Sequence, residues 1–348
     1  MKHRLTLSFY SPVHIGDGWE LEPFEYVIKD NYLYTFSFGQ FVSSLSSEDS
    51  AKLIQIQRNM KPSALKDIRN FIKHRCNPDK CQDKIPVTPS VARIYEEKFL
   101  DIQNMLKMEP FIKTMGSPYI PGSSLKGSIR TAVLNYWAEE RHRDEHDILR
   151  AKIKDRKGKW RPDIPSDVFK FLKIPDIPLS KDFTLFSKIS NFHIKDKELR
   201  ETNIQLLREV TRSRFYPFKE FNNGDNRFAF DLRLDQEIMK DSKAVTGRRD
   251  LTLDTIWKSL DFYESILDKE SKKWSPYNKN LKRFYETFIE YLKAQRGRSD
   301  VKLLKIGFGS GFDAITVEKI LRPKRSHGKS INLFESCCSL GWAMLYRE

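Results

Sequence analysis

Leu5, Leu7 and Phe9 alternate with Arg4, Thr6 and Ser8, the period-two pattern of a β-strand with one buried face, and the run ends at Ser11-Pro12. After a Gly16-Asp17-Gly18 turn, Phe24, Tyr26 and Ile28 and then Tyr32, Tyr34 and Phe36 alternate around Asp30-Asn31, which predicts a hairpin. Helical spacing follows. Leu65, Ile68, Phe71 and Ile72 share one face of a helix starting near Pro62, and Ile94, Phe99, Ile102 and Leu106 suggest another. An extended piece over 111–120 leads into Pro121-Gly122-Ser123-Ser124. There Ser123 or Ser124 can cap a helix carrying Leu125, Ile129, Val133 and Trp137.

From Arg141 to Arg161 the chain is highly charged, and Pro162, Pro165, Pro175 and Pro178 follow, so a linker or long surface insertion is expected. Beyond it, Phe228, Phe230, Leu232 and Leu234 alternate after Asn222-Asn223-Gly224-Asp225, which predicts a second hairpin whose partner strand ends near Phe215. Two helical stretches come next, through Leu253, Ile256, Trp257 and Leu260 and through Leu281, Phe284, Phe288 and Leu292. Residues 301–306 read as a strand, 307–311 as a tight glycine loop and 315–321 as a helix. Strands and helices on both sides of the proline-rich stretch imply two α+β domains with mostly antiparallel sheets, 1–180 and 181–348. A split βαβ plan fits each half.

Charge narrows the partners. Lys plus Arg number 62 against 47 Asp plus Glu, a net +15, which suits a polyanion. Anionic membranes are a rival, but no basic amphipathic helix stands out and no apolar run approaches a membrane span, so an intracellular, cytoplasmic protein is expected. Cys76, Cys81, Cys337 and Cys338 match neither paired zinc knuckles nor a disulfide framework; His74, Cys76 and Cys81 lack a fourth ligand, and the cysteines read as reduced thiols. No cofactor or metal is implied.

Two loops could hold phosphate. At Gly122-Ser123-Ser124-Leu125-Lys126-Gly127-Ser128-Ile129-Arg130, free amides at a helix start, a glycine permitting close approach and two cations one turn apart favour an anion. A capped helix with solvated bases is the plainer alternative. The order Lys126-Gly127-Ser128 is not that of a nucleotide-binding Gly-Lys-Ser/Thr loop. Gly307, Gly309 and Gly311, with Ser310 between them, permit unusual backbone angles and present amides, although the spacing fails the dinucleotide fingerprint. A tight turn packed under a helix is the alternative here. Basic runs at 150–161 and at Arg322, Lys324, Arg325 and Lys329, with Arg248, Arg249, Arg296 and Arg298, could meet a phosphate backbone or simply form solvated faces.

Catalytic patterns are sparse. His142-Arg143-Asp144-Glu145-His146 spells an inverted zinc-protease motif, but its segment is polar all round and cannot make a dry metal cavity. His14, between Val13 and Ile15, could act as a general base in RNA cleavage or order its turn by hydrogen bonding. No nucleophile elbow, reactive-cysteine signature or RNP1 motif is present, so phosphate and shape contacts are expected rather than base stacking on an open sheet.

Taken together, the segments 7–18, 119–131 and 305–311 resemble the RAMP superfamily of CRISPR-associated proteins, and most closely its fifth-subunit family from type III-A Csm effector complexes. Leu340-Gly341-Trp342-Ala343-Met344-Leu345 is similar to that family's C-terminal signature. The resemblance implies two ferredoxin-like (RRM-like) domains with helical insertions and a non-catalytic subunit that caps the 3′ end of the guide RNA. Such a subunit stacks on the repeating backbone subunit and is required for 3′ maturation of the guide. The implied partners are the crRNA, the backbone RAMP subunit, the small helical subunit, target RNA and a host exoribonuclease, without a membrane. Implied RNA-facing residues are Gly122, Ser123, Ser124, Lys126, Arg130, Gly307, Gly309, Ser310, Gly311 and His14, with no catalytic or metal site. Superfamily relatives include guide-processing endonucleases, so a metal-independent repeat endoribonuclease using His14 is the alternative.

Overall fold

In the computed structural model, which describes the chain apart from residues 1, 59–62, 102, 104–105, 142–151, 155–159, 163–166, 216–225, 242–250, 298–299, 317–329 and 348, the first alternating run forms β1 (Lys2–Phe9). Two of its three polar positions are not on a wet face: Thr6 and Ser8 are buried with Leu5, Leu7 and Phe9, while Arg4 is exposed. The next run is the expected hairpin, β2 (Tyr26–Lys29) and β3 (Tyr32–Thr35), turning at Asp30 and Asn31, which both take positive φ. Three helices follow, α1 (Phe38–Ser43), α2 (Ser47–Arg58) and α3 (Ala64–Arg75). Leu65, expected on the inner face of α3, is instead exposed. Then come β4 (Asp83–Pro86), which extends the hairpin into a three-stranded sheet, and α4 (Pro89–Lys98), opened by Pro89 where its missing amide costs nothing. The α4 spacing does not continue to Leu106, whose φ is positive.

Short strands β5 (Met108–Glu109), β6 (Lys113–Thr114) and β7 (Ser117–Ile120) lead into α5 (Gly122–Arg141), whose Leu125, Ile129, Val133 and Trp137 are all buried as the periodicity predicts. Between β8 (Lys152–Lys154), β9 (Trp160–Pro162), β10 (Leu172–Lys173) and β11 (Ile177–Pro178), the expected linker proves partly structural: residues 167–178 pack inward through Phe169, Phe171 and Ile177. The long strands β12 (Thr184–Lys195) and β13 (Glu198–Thr211) form a hairpin. β14 (Phe228–Leu234) does not pair with β13, as the Asn-Gly signal suggested, because its two edges are taken by β1 and β10; residues 222–225 lie outside the described residues. α6 (Gln236–Asp241), α7 (Leu253–Ser259), α8 (Phe262–Trp274) and α9 (Lys279–Arg296) precede β15 (Val301–Lys305), α10 (Phe312–Ile315), β16 (Ser330–Phe334), β17 (Cys338–Ser339) and β18 (Trp342–Arg347).

The fold is α+β with largely antiparallel sheets. One five-stranded sheet runs β10-β14-β1-β18-β15, the other β17-β16-β12-β13-β5, where only the β13–β5 contact is parallel. The sheets do not divide at residue 180: β1 lies between β14 and β18, and both sheets with α5, α7, α8 and α9 feed one continuous apolar core. A strand of only one half cannot close a sheet whose neighbours come from the other. Residues 24–108 carry two smaller clusters around β2, β3 and β4, one of which is completed by Phe186 of β12 and Leu207 of β13. The four cysteines are free thiols, with the sulfurs of Cys76 and Cys81 3.5 Å apart. Among the described residues no helix is long and apolar enough to cross a membrane.

Two carboxylates tie these layers together. Glu335, in the β16–β17 turn, accepts hydrogen bonds from the hydroxyls of Thr88, Ser90 and Ser187 at 2.6–2.7 Å and so joins α4 to β12. Glu209, wholly buried on β13, accepts from the Phe111 amide at 2.9 Å and the Thr184 hydroxyl at 2.5 Å and pairs with the Lys113 ammonium at 3.0 Å. Removing it leaves those donors buried without an acceptor. Glu209→Ala is therefore expected to lower unfolding stability by roughly 3–5 kcal/mol, measured by chemical denaturation, whereas a loss below 1 kcal/mol would remove Glu209 from this role.

Candidate nucleic-acid interface

β15 leaves its sheet at Ile306 and enters the glycine loop, where Gly307, Gly309 and Gly311 have φ of +78°, +77° and +82°. A side chain at Gly307 would meet the His14 carbonyl oxygen at 2.3 Å, so close backbone approach as well as the positive φ demands glycine. The loop is bolted to the 12–14 segment after β1 and to Gly341, just before β18. Phe308 N donates to His14 O at 2.8 Å, Ile306 N to Gly341 O at 2.9 Å, and Gly341 N to Pro12 O at 2.9 Å. The Ser310 hydroxyl turns inward to Gly307 O and is buried, and Gly309 leans on Leu340 and Asn332, while Gly307 and Gly311 are exposed, Gly311 beside the Glu270 carboxylate. Beneath the loop, Lys305 is buried in an ion pair with Glu270 and lies 4.6 Å from the centre of the Trp342 ring; burial lowers the lysine's pKa.

The start of α5 differs from the sequence reading. Asp176, brought in by the 174–176 segment, accepts from Gly122 N at 2.8 Å and is the helix's N-terminal acceptor, in place of Ser123 or Ser124. A side chain at Gly122 would collide with Ile174 O at 2.1 Å, so this glycine makes room for a chain crossing and not for phosphate. Arg130 is also committed inward, 3.7 Å from Asp167 and 5.4 Å above the Phe169 ring. Ser123 is exposed, and Ser124 and Lys126 are half-buried.

Both glycine segments belong to one packed body. The residues that follow the loop reach the middle of α5: Asn135 donates to Thr316 O at 3.2 Å, and Tyr263 of α8, whose hydroxyl receives a hydrogen bond from Ser128 at 2.8 Å, donates to Ala314 O at 3.5 Å. Asn135 is thirteen residues from Gly122, about 20 Å along the axis, so this direct contact is made far from the first amides of α5. Sequence reasoning missed Arg208 and Lys113. Arg208 stacks on the Phe308 ring at 3.5 Å and pairs with Glu109 at 2.6 Å, holding the loop's aromatic from the β13 side. Nothing in the spacing of β13 marks Arg208; only the crossing of β13 under the loop does. The zinc-protease spelling at 142–146 and the run at 322–329 lie outside the described residues, as does most of 150–161. Among the described residues no cluster of three or more histidine, cysteine or acidic side chains could hold a metal.

His14 is 1% exposed and does not face outward as the RNA-facing reading required. Its Nδ1 lies 2.6 Å from Glu209 O, and because a carbonyl only accepts, Nδ1 carries the proton. The ring stands edge-on between Phe111 and Phe308. Burial depresses its pKa to about 4, against a smaller opposing effect of the Glu209 carbonyl. The folded state thus keeps His14 neutral where the unfolded chain binds a proton. Its contribution is complete above the ordinary value near 6.5 and is lost as pH falls toward 4. Between pH 7 and 4.5 the wild type is expected to lose roughly 2–3 kcal/mol more stability than His14→Gln, read from denaturation midpoints at the two pH values. Equal losses would show that the imidazole is not the sensitive group.

Residues 6–312 match the RAMP superfamily. The chain is 26% identical over 332 residues, 89% of its own length and 72% of the relative's, to the CRISPR system Cms protein Csm5 of Methanocaldococcus jannaschii. It is 28% identical over 141 residues, 38% of each chain, to the CRISPR system Cms protein Csm5 of Streptococcus thermophilus. Its fold is shared by a chain of the cryo-EM structure of a Csm–crRNA–target RNA ternary complex from a type III-A CRISPR-Cas system, with TM-score 0.69 and 20% identity over 99% of this chain and 100% of that one. The crystal structure of T. onnurineus Csm5 gives a TM-score of 0.65 at 20% identity, covering 97% and 99% of the two chains. With its glycine loop, buried C-terminal strand and nearly full-length match accounted for together, the chain belongs to the RAMP superfamily.

Proposed function

We propose that this protein is the crRNA-binding subunit that closes the 3′ end of a type III-A Csm effector complex, working in the cytoplasm. In this reading it caps the guide and the end of the backbone filament, touches the backbone RAMP subunit and the small helical subunit, and is required for 3′ maturation by a separate nuclease. The observation that carries it is the glycine loop, rigidly anchored yet open at Gly307 and Gly311, in a chain of net charge +15. A preformed loop of backbone amides meets phosphate without ordering cost, and scattered cations add salt-sensitive, sequence-tolerant affinity. Likeness to Csm5 proteins supports the choice of complex. The two five-stranded sheets stand, in this proposal, for the two ferredoxin-like units, interleaved in sequence rather than joined end to end.

Cleavage by His14 is disfavoured by its burial, since a general base must come within hydrogen-bond reach of the attacking hydroxyl. Pure protein incubated with repeat RNA in EDTA is expected to leave it intact; site-specific cuts lost in His14→Ala would reverse the assignment. The RNA-facing residues proposed are Ser123, Lys126, Gly307 and Gly311. Ser123→Asp discriminates between helix and interface roles. A carboxylate in the first turn of α5 gains from the helix dipole but stands near Asp176, so the two effects offset and stability is left nearly unchanged, yet it repels phosphate. Weaker RNA binding with undiminished stability is expected, and Lys126→Ala should reduce the salt slope of single-stranded RNA binding by about 0.7. Unchanged affinity and slope in both variants would take α5 out of the interface.

A further inference from the structure

A cleft lies on the other side of the 14–19 turn from the glycine loop. We propose that it receives one unstacked nucleobase of the bound RNA, with Trp19 as the stacking surface; this rests on the RNA-binding reading above. The cleft holds about 270 Å³ and is lined by Asp17, Trp19, Gln82, Asp83, Phe111 and Lys113 among others. That is just below the roughly 300–1,000 Å³ of sites for drug-sized molecules, and suits a single ring system with its sugar.

Three observations favour a base over other occupants. Trp19 is 62% exposed at the rim, an unfavourable position for a large apolar ring unless something covers it, and Asp17 accepts from its amide at 2.8 Å to hold the turn. The lining mixes apolar side chains with polar ones, and its three carboxylates, Asp17, Glu25 and Asp83, outnumber its one cation, Lys113, which disfavours phosphate but matches the N–H edges of nucleobases. Asp83 is held in place by the Thr35 hydroxyl at 3.2 Å. Finally, the cleft lies close to the proposed phosphate-binding loop. Ile112 N donates to Ile15 O at 2.8 Å, and Phe111 of the cleft wall and Phe308 of the loop both pack edge-on against the His14 ring, with centroids 6.3 and 6.2 Å away. A strand whose phosphates lie along Gly307 and Gly311 can therefore turn one base over the 14–19 turn into the cleft. Single-stranded RNA is commonly read in this way, by splaying a base onto an aromatic side chain.

The full-length protein is titrated with a single-stranded RNA oligonucleotide while tryptophan emission and RNA anisotropy are followed together. RNA is expected to quench the wild type. Trp19→Ala is expected to bind roughly five- to 150-fold more weakly, and Trp19→Phe to bind nearly as well as wild type without the quench. Because Trp19 is exposed, neither variant endangers the core. If the wild type binds RNA and Trp19→Ala binds equally well with the quench retained, the cleft assignment falls and the RNA-binding reading stands. If Trp19→Ala binds RNA normally but no longer assembles with the neighbouring subunits, the cleft takes a protein segment and the proposal is overturned. Absence of RNA binding by the wild type overturns both readings.

Discussion

Glu209 is the point on which the rest of the structure turns. Its carboxylate, sealed from water, gathers the Phe111 amide, the Thr184 hydroxyl and the Lys113 ammonium, and its own carbonyl receives the His14 ring. Those partners come from three segments of the chain, at His14, Phe111–Lys113 and Thr184. An ionised carboxylate in the interior is tolerable only when its oxygens are satisfied, so the segments must arrive together or the site cannot form. The turn at 14–16, the wall of the cleft and the base of the glycine loop are fixed relative to one another for that reason.

The three close-packed glycines act differently although they look alike in the chain. Gly307 and Gly341 allow strands to cross at distances a side chain would forbid, so the loop's shape is set by its neighbours and not by its own flexibility. Gly122 admits the 174–175 carbonyls and lets Asp176 occupy the helix start, which satisfies internally the anion preference that a ligand could otherwise have met. The electrostatic excess follows the same division. Lys305, Arg208, Lys113 and Arg130 are paired with Glu270, Glu109, Glu209 and Asp167, and serve the architecture. In the reading proposed above, what the molecule offers a polyanion is an exposed, preformed backbone loop in a chain of net charge +15.

His14 shows how one residue changes meaning between levels. In sequence it is a neutral-range titrating group beside a glycine turn, which is compatible with catalysis. In the structure its ring is walled by two phenylalanines and its proton is committed to a carbonyl, so it secures the turn from which both the loop and the cleft hang.

The sequence alone determined the local elements: the β2–β3 hairpin, the apolar stripes of α5 and α9, the α+β class, the net positive charge and, through three short motifs, the superfamily. These depend on spacing within a dozen residues, where periodicity is a direct consequence of backbone geometry. Tertiary structure alone decided that β1 sits between β14 and β18, that β14 shuns β13, that Asp176 closes the start of α5, and that Trp19 overlooks a cleft. Those outcomes depend on which distant carbonyls and carboxylates come within 3 Å, and that information belongs to the pairing of strands far apart in the chain rather than to any pattern along it.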